Sequence, residues 1–88
     1  MIKELIKITN KHGLHARPAA HLVKVASQFD SEITIIKDSL EINGKSIMGV
    51  MMLAAEPGSE LEFVVNGSDE KEAFQAILDL IEKNFHEE

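Results

Sequence analysis

Along the first eight residues Ile6 and Ile8 share one side of a two-residue alternation while Lys3 and Lys7 share the other, the pattern of a half-buried strand over Ile2 to Ile8. A loop of Thr9-Asn10-Lys11-His12-Gly13 follows. Ala19, Leu22, Val23, Ala26 and Phe29 then recur at helical spacing and predict a helix over roughly Ala16 to Gln28. Pro18 fits such a helix only within its first turn, where a missing N–H costs little. The β-branched run Ile33-Thr34-Ile35-Ile36 predicts a second strand, and Asp38-Ser39 a turn into a third, Leu40-Glu41-Ile42, paired with the second as a hairpin. Asn43-Gly44 ends it, and Ser46 suits the N-cap of a short helix carrying Ile47, Met48, Val50, Met51 and Leu53. Glu56-Pro57-Gly58-Ser59 breaks that helix, and Leu61, Phe63 and Val65 mark a fourth strand. Asn66-Gly67 closes the strand and Ser68 or Asp69 opens the last helix, Asp69 with Glu72 reading as a capping box and Ala73, Phe74, Ile77, Leu78 and Ile81 as its buried stripe. The order βαββαβα predicts an α+β fold: a four-stranded antiparallel sheet with three helices covering one face.

Composition narrows the classes. Eighty-eight residues suffice for one compact domain, 1–88, and not for two. With no cysteine, disulfides and thiolate metal sites are excluded. Charges interrupt the apolar residues of the N-terminus, and no run approaches the roughly 20 apolar residues of a membrane span, so a soluble, unexported, cytoplasmic protein is expected. A net charge of −6 speaks against nucleic acid, which needs clustered lysine and arginine. That charge is uneven: up to Ala55 there are seven basic residues against five acidic, and from Glu56 onward two against ten. The N-terminal half suits docking onto acidic partners. The acidic half reads most simply as a solvated face.

The candidate chemistry lies in Gly13-Leu14-His15-Ala16-Arg17-Pro18-Ala19-Ala20. It sets an imidazole at a helix start with a guanidinium two residues on. Free N–H groups and aligned peptide dipoles there favour a phosphoryl group and disfavour a cation. Together with Arg17 they are expected to lower the pKa of His15 and keep its ring neutral and nucleophilic, while Arg17 holds the phosphoryl oxygens. On residue types alone, a histidine and an arginine near a helix start are equally ordinary surface residues. His12-x-x-His15 with His21 could also be read as a metal site, but the three span a loop, a helix start and a helix interior, with no acidic residue nearby in sequence to complete a tetrahedral shell. His21 is expected to be an exposed residue beside Lys24. Asn43-Gly44-Lys45-Ser46 lacks the earlier glycine of a P-loop, since Ser39 stands there. No cofactor is implied.

The methionines of the second helix either fill gaps in the core or stay outside. A short helix on one sheet cannot bury Ile47, Met48, Val50, Met51 and Leu53 together, so some apolar surface is expected to stay exposed near His15. Flexible methionines suit docking on several unlike partners.

Gly13-Leu14-His15-Ala16-Arg17-Pro18-Ala19 resembles the active-site signature of the HPr family, the phosphocarriers of the bacterial phosphoenolpyruvate:sugar phosphotransferase system. Gly44-Lys45-Ser46-Ile47-Met48-Gly49-Val50-Met51 resembles its second signature, at the family's separation, and the similarity spans the chain. The resemblance implies an open-faced β-sandwich and a carrier that is no independent catalyst. It implies that His15 takes a phosphoryl group on Nδ1 (the pros nitrogen) from Enzyme I and yields it to Enzyme II A-type acceptors for sugar uptake, with Ala16, Arg17 and Pro18 completing the site. It further implies docking through Ala20, Lys24, Ile47, Met48 and Met51, and regulation at Ser46 by an ATP-dependent HPr kinase/phosphorylase. A monomer without nucleic-acid or membrane partners is expected. Relatives within the family control carbon or nitrogen metabolism, and a regulatory role is the alternative. His12 stands where many members carry a small polar or amide residue, and Ala54-Ala55 replaces a frequent glycine. The tail Asn84-Phe85-His86-Glu87-Glu88 has some flavour of the nitrogen-related branch.

Overall fold

Every strand and helix expected from periodicity forms in the computed structural model, which describes residues 1–86; the Glu87 and Glu88 part of the tail lies outside the described residues. The order is β1 (Ile2–Lys7), α1 (Ala16–Ala26), β2 (Glu32–Lys37), β3 (Leu40–Asn43), α2 (Ile47–Met52), β4 (Glu60–Asn66), α3 (Glu70–Glu82) and a terminal turn, Asn84–His86. The strands make one antiparallel sheet in the order β1-β4-β2-β3. Ile2 pairs with Val65, Ile33 with Val65 and Ile35 with Phe63, so this register sets the apolar positions of neighbouring strands on the same face. Ile33, Ile35, Leu61, Phe63 and Val65 are buried there with Ala19, Leu22, Val50, Ala73, Ile77 and Phe85 of the helices and the terminal turn. Among the described residues no helix covers the opposite face, with Leu5, Thr34, Ile36, Glu62 and Val64, and Leu5 is 65% exposed. The arrangement is the expected α+β open-faced sandwich. Among the described residues no helix is long and apolar enough to cross a membrane.

Several local expectations change. α1 ends at Ala26, two residues early, because Ser27 already serves as its C-cap. Asp69 precedes α3 but makes no cap bond, so the box with Glu72 does not form. Its carboxylate instead accepts the backbone N–H groups of Asp30 at 2.8 Å and Ser31 at 2.9 Å, and the Ser31 hydroxyl. Those bonds, with the Ser31 hydroxyl the largest influence, hold the Asp69 carboxyl below the usual carboxylate range. Glu70 does the reaching back instead, accepting Gly67 N–H at 3.2 Å and the Met1 ammonium at 2.9 Å, and its pKa is lowered chiefly by that ammonium. In α3 the buried residues are Ala73, Ile77, Leu80 and Ile81, while Phe74 and Leu78 are half-buried. The β2–β3 turn places Asp38 and Ser39 at φ 49° and 73°, the left-handed pair that a two-residue hairpin favours.

Candidate active site

Pro18 starts the local structure. Its fixed φ and absent N–H are tolerated at the third residue of α1, and its ring is buried there. Upstream, His15 is the N-cap: its backbone is extended at φ −82° and ψ −172°, and its carbonyl accepts Ala19 N–H at 2.9 Å. The imidazole takes no part in capping and is exposed. The first turn holds no acidic residue, so no carboxylate of its own offsets the positive end of the helix dipole. Ala16, Arg17, Ala20 and Lys24 are exposed, and among the described residues no carboxylate pairs with Arg17. Lys24 stands in the last turn of α1, at the end of the helix away from His15.

The loop before His15 is built from inside. Asn10, 1% exposed, donates from Nδ2 to the Gly13 carbonyl at 2.8 Å and closes the turn that carries His12. Gly13 has φ +67°, and a Cβ there would collide with the Ala55 carbonyl oxygen. That same oxygen accepts Leu14 N–H at 2.8 Å, so the segment after α2 is fastened beside the start of α1. The His12 ring meets the His15 ring edge to face, with centroids 5.5 Å apart and planes at 85°.

Ser46 caps α2 as expected, its Oγ accepting Gly49 N–H at 3.1 Å. α2 packs on α1, and Val50 is its buried residue. Its other apolar side chains stay outside: Ile47 and Met51 are 45% exposed, Met48 75% and Met52 63%. Met52 belongs to that exposed set although periodicity did not single it out.

The histidines do not gather into a metal site. His12 faces His15, whereas His21 is half-buried and lies 5.5 Å from His86 of the terminal turn. Among the described residues no group of three or more histidine, aspartate or glutamate side chains could hold a metal.

The family model described as the PTS HPr component phosphorylation site matches residues 2–83. The chain belongs to the HPr family. It is 50% identical, over the full length of both chains, to phosphocarrier protein HPr of Treponema pallidum. It is 46% identical to the HPr-like protein Crh of Halalkalibacterium halodurans over 94% of this chain and 99% of that one. A crystal structure of HPr from Thermoanaerobacter tengcongensis superposes with a TM-score of 0.96 at 49% identity, covering 100% of this chain and 99% of that one. As an HPr-family member the chain is a phosphocarrier of the phosphotransferase system, a protein that conveys a phosphoryl group and is not an independent catalyst.

Proposed function

We propose that His15 accepts a phosphoryl group on Nδ1 from phosphorylated Enzyme I, itself charged by phosphoenolpyruvate, and passes it to Enzyme II A-type acceptors for sugar uptake. The observation that carries this is the exposed His15 ring at the N-cap of α1, left out of capping, within a family described by its phosphorylation site. The ring nitrogen's lone pair attacks the donor's phosphorus. One N–P bond forms as another breaks, and the bonding pair returns to the donor's nitrogen. The N–H groups of Ala16 and Arg17 and the Arg17 guanidinium receive the phosphoryl oxygens, and Pro18 fixes the backbone there. Exposure suits a relay, because each partner's active site must close over the same ring.

Ile47, Met48 and Met51 are assigned to docking, with Ala20 and Lys24 beside them; their exposure on adjoining helices supports this. At Ser46, phosphorylation by an HPr kinase/phosphorylase sets about two negative charges next to Ile47 and Met48, which weakens docking of an acidic partner. The protein works as a cytoplasmic monomer.

Incubation with phosphoenolpyruvate, magnesium and Enzyme I tests the assignment: one acid-labile phosphate by intact mass, absent from His15→Ala, is expected. Loading that persists in His15→Ala removes His15 from the mechanism. A second reading, control of carbon or nitrogen metabolism by the phosphorylation state, is favoured by the likeness to Crh. Loading at His15 with no onward transfer to any Enzyme II A-type acceptor of the host selects it.

A further inference from the structure

His12 has no part in the site as described so far, yet its position is among the most constrained in the loop. Buried Asn10 braces the turn beneath it, and Gly13 lets the turn press against Ala55. The outcome is a second imidazole held edge to face against His15 with centroids 5.5 Å apart, both rings open to solvent. An exposed ring gains little from burial, so packing alone gives no reason for so much bracing.

We propose that His12 is a positioning residue for the phosphorylated state: it orients the His15 ring and donates an N–H to a phosphoryl oxygen carried on it. The inference rests on His15 being the phosphorylated residue. A phosphoryl oxygen stands two bonds from the nitrogen that bears it, enough to bring it toward a ring whose centroid is 5.5 Å from that of His15. Imidazole keeps an N–H in every ordinary protonation state, so His12 donates at neutral pH.

With the partner gone, a donor to the phosphoryl oxygens stabilises the phosphohistidine against loss of its phosphate by the worth of one exposed hydrogen bond. Its removal therefore shortens the lifetime of the phosphoprotein. The test loads wild type, His12→Gln and His12→Phe with Enzyme I and phosphoenolpyruvate, removes the donor and follows loss of phosphate by phosphorus NMR at pH 8. Gln keeps an N–H donor without the ring; Phe keeps a ring that donates nothing. The phosphoryl group is expected to persist about threefold longer on wild type than on His12→Phe, with His12→Gln between them, the scale of one exposed hydrogen bond.

Equal lifetimes for all three proteins overturn the inference, and so does a Phe variant that matches wild type, because ring contact alone then suffices. If wild type takes no phosphate from Enzyme I, the assignment of His15 fails and the role of His12 with it.

Discussion

The two ends of α1 are built on opposite principles. Beyond its C-terminal end, Ser31 is 1% exposed, and its N–H and hydroxyl both donate to the Asp69 carboxylate, 38 residues away in sequence. At its N-terminal end the His15 ring and the Arg17 guanidinium stand in water, and methionines lie exposed on the adjoining helix. That half-buried corner pairs its polar groups with one another, which ties the connection after α1 to the start of α3. The exposed end leaves its side chains accessible to solvent. A phosphoryl relay needs both, since a helix end can present N–H groups accurately only if the rest of the helix is fixed.

His15→Ala alters the exposed end alone. Phosphoryl transfer is expected to fall below detection while the thermal midpoint stays put, and a fallen midpoint would show that the exposed end also holds the fold. Arg17→Ala is expected to slow transfer from Enzyme I by about tenfold to a hundredfold, the worth of one charge-assisted contact, with an unchanged melting curve. A transfer rate equal to wild type removes the guanidinium from the site.

The converse experiment is Asp69→Asn. The pKa of Asp69 is lowered in the folded state, so its stabilisation is present above the unfolded value of about 3.9 and drains away as pH falls through the lower folded value. Wild type should lose melting temperature through that acid range, whereas the variant starts lower at pH 7 and loses less. At 25 °C its transfer rate should match wild type, and parallel pH curves would mean that Asp69 contributes no such linkage. The smallest effect is expected at Ala54, whose φ of 49° is costly for a residue with a Cβ. Ala54→Gly should raise stability by about 0.5 kcal/mol, less than the full strain because glycine also frees the unfolded chain. Chemical denaturation reads this directly, and a loss of stability would show that the strain is already relieved locally.

Much of this was legible because it is local. Alternation along Leu61, Phe63 and Val65, helical spacing from Ala19 to Ala26, and the cap at Ser46 each need only a few neighbouring residues to declare themselves. The prominence of His15 and Arg17 likewise followed from their place before Pro18. What was not legible is pairwise and distant. Asp69 followed by Glu72 is a sound local pattern for a capping box, yet the hydrogen bonds to Asp30 and Ser31 take the carboxylate elsewhere. Nothing near Asn10 in sequence announces its burial. No periodicity brings His21 to His86, which depends on three successive residues at positive φ, Asn84 to His86, with Phe85 pressed into the core between them.

The sheet order bears on how crowded this protein can be. A carrier that meets its partners by diffusion works in proportion to its concentration, and concentration punishes any exposed strand edge that can zip onto another copy. In the order β1-β4-β2-β3 the two longest apolar patterns, those of β2 and β4, are interior strands. Of the two rims, β3 is four residues long, too short to template much pairing, and β1 interrupts its apolar positions with Lys3, Glu4 and Lys7. Like charges on facing copies would repel before a ladder could form, so the fold carries its own protection against clumping at the concentrations that make a relay fast.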